Sequence, residues 1–91
     1  MSTALPFTAP LNGINIASRR RFIVYSRDRG LLSEHATRYG AVRACRSAKQ
    51  GAGNFEARRG IALYRFQDNH WGRQPLPAST NGLLALFSSE F

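Results

Sequence analysis

Residues 21–26 have the sequence Arg-Phe-Ile-Val-Tyr-Ser, which is rich in β-branched and aromatic side chains. Such side chains favour an extended strand, and the Asp28-Arg29-Gly30 segment that follows is typical of a turn. Successive side chains alternate between the two faces of a strand: Phe22, Val24 and Ser26 on one, and Ile23, Tyr25 and Arg27 on the other. This segment therefore predicts the first strand of a small sheet.

After this strand, the sequence predicts one main helix from Glu34 to about Gln50, with Ser33 as its N-cap and a stop at Gly51-Ala-Gly53. At about 100° per residue, small side chains and cations separate onto opposite sides of this helix. The small side carries Ala36, Thr37, Gly40, Ala41, Ala44, Cys45, Ser47 and Ala48. The opposite side carries His35, Arg38, Tyr39, Val42, Arg43, Arg46 and Lys49. We expect the small side to pack on the sheet and the cationic side to face solvent or a partner.

The rest of the chain predicts a hairpin. Residues 60–66 form a second strand, residues 67–70 a turn, and Trp71 opens a short third strand that ends by Pro75. A final apolar stretch, Leu83–Phe87, fits either a helix or a strand. The order strand, helix, hairpin predicts an α+β fold, in which a small antiparallel sheet of about three strands packs against one main helix.

Charge is concentrated in the middle of the 91-residue chain, whose formal net charge is +8. All 13 basic residues and four of the five acidic ones lie between Arg19 and Arg73, so this block carries a formal charge of +9. We expect a single domain over residues 1–91, with residues 19–73 as its basic body. The neutral flanks, residues 1–18 and 74–91, either pack on this body or contact a second surface.

The excess of arginine indicates a phosphate-bearing or acidic partner, because guanidinium groups pair well with both. The candidate partner- or RNA-binding residues lie on the helix and in the arginine runs around the two main strands: His35, Arg38, Tyr39, Arg43, Arg46, Lys49, Arg19, Arg20, Arg21, Arg27, Arg29, Arg58 and Arg59. Arginines interleaved with aromatic residues are typical of proteins that bind single-stranded nucleic acid. Phe22, Phe66 and Trp71 favour core positions, whereas Tyr25 and Tyr64 fit the core or a binding surface equally well.

Groups that could carry catalysis are sparse. A metal-independent ribonuclease could use His35 or His70, with arginine stabilising the phosphate, which keeps a small ribonuclease toxin as an alternative. The acidic residues are scattered singly, which excludes a two-metal nuclease. Cys45, the one cysteine, lies on the small-residue side of the helix and predicts a packing role. We expect a non-enzymatic protein without cofactor, metal, small-molecule substrate or membrane span.

Three segments of the chain resemble phage-encoded anti-CRISPR proteins that inhibit type I-F CRISPR surveillance complexes. They are Arg20-Arg-Phe-Ile-Val-Tyr-Ser26, Leu31-Leu-Ser-Glu-His-Ala-Thr-Arg-Tyr39, and the hairpin from Leu63-Tyr-Arg-Phe66 to His70-Trp71. The resemblance covers most of the chain and rests on length and on the order of elements. These inhibitors have no common signature, so no binding residue is carried over by motif.

The resemblance implies a non-enzymatic inhibitor in the bacterial cytoplasm that docks on Cas subunits and their guide RNA and blocks target-DNA binding. Many such inhibitors are acidic and imitate DNA, whereas this chain has a charge of +8. We therefore expect arginine contacts to the guide RNA and to acidic patches on Cas subunits. The alternative that the residues leave open is a stand-alone small basic nucleic-acid-binding protein.

Overall fold

The computed structural model describes residues 6–77, and the predicted apolar stretch Leu83–Phe87 lies outside them. Within this range the elements are β1 Phe7–Leu11, β2 Ile14–Ser18, β3 Phe22–Ser26, β4 Gly30–His35, α1 Arg38–Gln50, α2 Phe55–Arg59, β5 Ile61–Gln67 and β6 His70–Gln74. Strands β4, β3, β5 and β6 form, in that order, a four-stranded antiparallel sheet. Strands β1 and β2 form a separate antiparallel hairpin.

The strand predicted over residues 21–26 is confirmed as β3, but it is the third strand of the chain and not the first. It lies inside the sheet with all five residues buried. Its two faces enter two different cores. Phe22 and Val24 pack beneath α1, whereas Ile23 and Tyr25 pack on the opposite side. A strand buried on both faces must be apolar on both, which explains why residues 22–25 contain no polar position except the tyrosine hydroxyl.

Helix α1 covers one face of the sheet. The expectation that its small-residue side packs inward is correct in part: Ala41 and Cys45 are fully buried, and Ala44 and Ala48 pack against the same core. Three other members of that side, Ala36, Thr37 and Ser47, are exposed. Small side chains allow the helix backbone to approach the sheet closely. The prediction that Val42 lies on the cationic side is wrong: Val42 is also fully buried, beside Leu63 and Phe22 in the same core. Val42 lies about 60° around the helix from Cys45, so the buried side is centred near Cys45 and takes in part of the predicted cationic side.

The β1–β2 hairpin covers the other face. Ala9 and Leu11 pack against Ile23 and Tyr25, and the indole Nε1 of Trp71 donates a hydrogen bond of 3.0 Å to the carbonyl oxygen of Ile16. The neutral segment 1–18, in the part that the structure describes, therefore packs on the basic body, the first of the two expected roles. Asn12 and Gly13 have φ of 52° and 82°, which makes them the two-residue turn that right-handed strand twist favours.

The beginning of the predicted helix is wrong. Residues 30–35 form β4, which pairs with β3, and α1 starts only at Arg38. The true N-cap is Thr37, whose hydroxyl oxygen accepts a hydrogen bond of 3.2 Å from the Gly40 N–H. Ser33 and Glu34 suit a helix start by local propensity, but β3 needs a hydrogen-bonding partner on this side. Strand pairing outweighs the weak local preference.

The predicted hairpin is confirmed as β5 and β6. Asp68 and Asn69, with φ of 54° and 63°, form the centre of its turn, and β6 ends at Gln74, directly before Pro75. The α+β class with antiparallel pairing is therefore correct. The expected single sheet of about three strands with one helix omitted β4, the β1–β2 hairpin and the short helix α2. Neither helix among residues 6–77 is long and apolar enough to cross a membrane.

Candidate functional site

The basic residues are divided between the two ends of the sheet. At the end where β3 begins, Phe22 pairs with His35 on one side and Arg65 on the other; at the opposite end, Ser26 pairs with Gly30 and Ile61. We call the first of these the Phe22 end. We call the second the Phe55 end, because α2, which begins at Phe55, comes just before Ile61. The Phe22 end carries Arg19, Arg20, Arg21, Arg38 and Arg65. The Phe55 end carries Arg27, Arg29, Lys49, Arg58 and Arg59, together with the two carboxylates Asp28 and Glu56.

At the Phe22 end, most arginines pack against aromatic rings of the protein itself. The guanidinium groups of Arg38 and Arg65 lie 5.9 and 5.3 Å from the ring centroid of Phe22. That of Arg21 lies 4.9 Å from the ring centroid of Phe7. The Nε atom of Arg38 is buried and has no hydrogen-bond partner among the described residues. These three arginines therefore take part in the packing of the sheet.

The Phe55 end is assembled by backbone contacts between distant segments. The Arg27 N–H donates a hydrogen bond of 3.0 Å to the carbonyl oxygen of Gly60, which joins the β3–β4 turn to the end of α2. Lys49 Nζ donates one of 2.9 Å to the carbonyl oxygen of Arg58 and so joins α1 to α2. Arg27, Arg29, Arg58 and Arg59 are all exposed. The structure thus brings the arginines that follow β3 and those that precede β5 to one end of the sheet.

Sequence reasoning missed Phe55. Its side chain is 65% exposed, the highest value among the large hydrophobic residues that the structure exposes. The guanidinium group of Arg59, one helical turn away, lies 5.7 Å from its ring centroid. The only local signal was a single aromatic residue within the polar segment Asn54-Phe-Glu-Ala-Arg-Arg. Such a residue is usually assigned to the core.

The predicted cationic side of the helix is only partly open. Arg38, Arg46 and Lys49 are half-buried, and each makes a contact within the protein. The Arg46 guanidinium donates a hydrogen bond of 2.5 Å to the carbonyl oxygen of Pro77. Arg43 is exposed, with its guanidinium 5.8 Å from the ring centroid of Tyr39. Of the helix cations, Arg43 is therefore the one most accessible to a partner.

His35 lies at the end of β4 and not on the helix. It is half-buried, its Nε2 is 2.8 Å from the Ser33 hydroxyl oxygen, and burial lowers the pKa of its imidazole. His70 opens β6 and is exposed. The two histidines occupy the two outer strands of the sheet, three strand spacings or about 14 Å apart. This separation excludes an acid–base pair formed by both histidines, and it does not bear on the alternative in which one histidine acts with an arginine.

One cleft among the described residues lies near the Phe55 end. A cleft of about 270 Å³ lies between α1, α2 and the β3–β4 turn, and its walls include Leu32, Ala48, Ala57 and Ile61. No histidine lines it, and no cluster of three potential metal ligands occurs among residues 6–77. Cys45 is buried as expected, and burial raises the pKa of its thiol. A buried thiol with a raised pKa is a poor nucleophile.

Tyr25 and Tyr64, whose role was open, belong to the packing beneath the β1–β2 hairpin. Tyr25 is buried, Tyr64 is half-buried, and their ring centroids lie 6.2 Å apart in an edge-to-face arrangement. Phe66 and Trp71 are similarly placed, with centroids 5.4 Å apart. The aromatic residues expected to interleave with the arginines on a binding surface are therefore mostly in the second core.

The cations lack partners of opposite charge. Between residues 6 and 77, no arginine or lysine side chain forms an ion pair with an aspartate or glutamate. Glu34 instead accepts hydrogen bonds of 2.6 Å from the Ser18 hydroxyl and 2.9 Å from the Arg19 N–H. The described region thus has a formal charge of +9, from 13 basic and four acidic residues, and its four carboxylates form no ion pair with its cations.

Comparison of the chain with protein-family models, with curated proteins and with solved structures found no match. Its function has to be inferred from the residues and contacts described above.

Proposed function

We propose that this protein is a non-enzymatic module that binds the phosphate backbone of RNA, principally through the Phe55 end. The observation that carries the proposal is the absence of ion pairs among residues 6–77 in a region with a formal charge of +9. Like charges held close together repel one another, and a partner rich in phosphate relieves this repulsion on binding. Guanidinium groups suit the task because they bind phosphate oxygens in pairs.

The Phe55 end is the stronger candidate because its guanidinium groups are more available. Three arginines of the Phe55 end, Arg27, Arg29 and Arg58, are exposed and lie on no ring. At the Phe22 end only Arg19 and Arg20 do so, because the other three arginines there, like Arg59 at the Phe55 end, lie against rings of the protein. An arginine released from a ring to bind phosphate would lose that contact. Phosphate binding at the Phe22 end therefore gives a smaller net gain in affinity than at the Phe55 end.

The setting that we propose follows from the resemblance to anti-CRISPR proteins. In this setting a phage-encoded chain, acting in the bacterial cytoplasm, docks on the guide RNA and Cas subunits of a type I-F surveillance complex and blocks target-DNA binding. A strongly basic surface cannot imitate DNA, so the guide RNA is the partner of complementary charge. The Cas subunits would supply further contacts.

A stand-alone RNA-binding protein is the second candidate, and one observation favours it. Large exposed hydrophobic side chains in the described residues are limited to Ile14, Leu31 and Phe55, which lie on three different elements. The cores of protein–protein interfaces are usually apolar and aromatic. A surface with so little apolar area is better suited to a polyanion than to the face of a protein subunit.

The test measures two affinities with the same protein. Fluorescence anisotropy gives its affinity for a labelled single-stranded RNA at several salt concentrations, and a mobility-shift assay gives its capture by a purified type I-F complex and the binding of target DNA. Binding to bare RNA that weakens steeply with salt supports the RNA-binding function. Capture by the complex with loss of target-DNA binding supports the inhibitor. Failure to bind RNA even at low salt contradicts the proposal.

A further inference from the structure

The exposed ring of Phe55 has no packing role that explains its position. Helix α2 spans only Phe55–Arg59 and buries none of its residues, so the ring adds nothing to either core. An exposed aromatic ring costs hydration free energy. A ring kept in solvent beside Arg58 and Arg59 is available to a ligand that is both aromatic and anionic.

The helix that carries the ring is nevertheless held firmly. The Asn54 side-chain oxygen accepts a hydrogen bond of 2.8 Å from the Ala57 N–H, and the Gly60 N–H donates one of 3.1 Å to the Glu56 carbonyl oxygen. Lys49 ties the middle of α2 to α1 through the Arg58 carbonyl oxygen. A ligand that meets this ring therefore meets a preorganised surface, which lowers the entropy lost on binding.

The cations lie where a nucleotide would require them. Arg58 and Arg59 follow Phe55 by three and four residues, so they occupy the same side of the helix as the ring. The Arg59 guanidinium lies over one face of the ring at 5.7 Å, so a base stacks on the opposite face and has a positive charge close to it. Bases of single-stranded nucleic acid stack on aromatic rings and guanidinium planes, while nearby cations bind the adjoining phosphates.

We propose that the Phe55 ring is a stacking platform for one unpaired base of single-stranded RNA, with Arg58 and Arg59 binding the neighbouring phosphates. This inference rests on the proposed function and adds to it the form of the ligand. In a duplex every base is already stacked and paired, so the ring gains no such contact. The protein therefore prefers single strands to duplexes of equal length, beyond the difference that charge alone would give.

The test compares Phe55→Ala with Ile14→Ala in binding to a labelled oligouridine and to a duplex RNA of the same length. Ile14 is the matched control, because it is 57% exposed but lies on the neutral β1–β2 hairpin. We expect Phe55→Ala to lose about tenfold in affinity for the single strand, within the range of one base–aromatic stack. Its affinity for the duplex, and both affinities of Ile14→Ala, change less than about twofold.

A fluorescent variant tests stacking directly. In Phe55→Trp, the new indole should be quenched when oligouridine binds but not when duplex RNA binds. Trp71, the natural tryptophan, is buried and hydrogen-bonded to Ile16, so it supplies a constant background in wild-type protein. Quenching by both ligands or by neither overturns the stacking platform.

The outcomes separate this inference from the proposed function. If wild-type protein binds RNA in a salt-dependent way and Phe55→Ala binds equally well, the RNA-binding function stands and the stacking platform falls. If wild-type protein binds neither RNA, both fall. If Phe55→Ala weakens capture by a Cas complex but not binding to oligouridine, Phe55 contacts protein and the stacking platform is wrong.

Discussion

Each end of the sheet has a phenylalanine in contact with arginine side chains, but the ring is buried at one end and exposed at the other. At the Phe22 end, one phenylalanine has two guanidinium groups against its ring and is 5% exposed. At the Phe55 end, one phenylalanine has a guanidinium group against its ring and is 65% exposed. A phenylalanine next to arginines in the sequence therefore does not reveal by itself whether the ring supports the fold or is open to a ligand.

The difference follows from what each ring rests upon. Phe22 belongs to the central strand and packs against α1, so its arginines cover a ring that is already part of the core. Phe55 lies on a five-residue helix at the Phe55 end of the sheet, and no other element buries its ring. We therefore expect substitutions at the Phe22 end to act mainly on stability and those at the Phe55 end mainly on binding.

The largest effect is expected for Phe22→Ala. Removal of a buried phenylalanine costs about 3–5 kcal/mol, and here it also leaves Arg38 and Arg65 without the ring on which they lie. Against a total stability of about 5–15 kcal/mol, this loss unfolds a substantial fraction of the protein or brings it close to unfolding. The midpoint of urea denaturation, followed by circular dichroism, measures the change.

Phe55→Ala is the matched variant in the same denaturation experiment. Because Phe55 is mostly exposed, we expect its removal to change the free energy of unfolding by less than about 0.5 kcal/mol. Equal losses in the two variants would contradict the division of the molecule into a structural and a binding end.

A smaller effect is expected when charge is removed at each end. The double variant Arg58→Gln/Arg59→Gln should lower the salt dependence of binding to single-stranded RNA, with the slope of log K against log salt falling by about 1.4 for two lost phosphate contacts. Arg19→Gln/Arg20→Gln removes two exposed arginines at the Phe22 end and serves as the control of equal charge. A larger change in slope for the control would move the binding surface to the Phe22 end.

The smallest effect concerns Glu34, which joins β4 to the β2–β3 connection at the Phe22 end. Hydrogen bonds from the Ser18 hydroxyl and the Arg19 N–H lower the pKa of its carboxyl below the ordinary value of 4.5, and the charges of Arg19 and Arg20 add to the shift. Because the pKa is lower in the folded state, the stabilisation is complete above pH 4.5 and is lost as the pH falls through the folded-state pKa.

Urea denaturation between pH 6 and pH 3 tests this linkage. We expect the stability difference between wild type and Glu34→Gln to shrink toward acid pH, because the glutamine does not titrate. RNA affinity at pH 7 should change less than about twofold in this variant, since Glu34 lies away from the Phe55 end. A stability difference that is independent of pH would show that the ionised carboxylate contributes nothing to the fold.

Several features could be predicted because they depend on neighbours in the chain. Alternation placed Val24 and Ile23 on opposite faces of β3, and helical periodicity placed Ala41 and Cys45 in the core. The signal for the β1–β2 hairpin was also local, since Asn12-Gly13 is a favoured hairpin turn, but residues 1–18 were treated only as a neutral flank. Pro10 is tolerated because it lies in an exposed position of a two-stranded hairpin.

Other features could not be predicted from the sequence because they depend on distant partners. Leu31 to Glu34 suit a helix locally, and only the open side of β3 makes them a strand. His35 is the last residue of that strand, so it does not lie on the predicted cationic side of the helix. For the candidate site, the sequence locates the arginine runs along the chain. Their division between the two ends of the sheet depends on how the strands pair.

The sequence by itself determined the α+β class, the central strand, the small-residue side of the helix and the excess of positive charge. These properties depend on composition and on short-range periodicity, which a single segment carries. Only the tertiary structure decided which arginines meet, which of them are occupied by rings, and which phenylalanine stays in solvent. Those properties are set by pairing and packing between segments far apart in the chain. A side chain becomes buried only when a second element packs over it, and the sequence of its own segment does not specify that element.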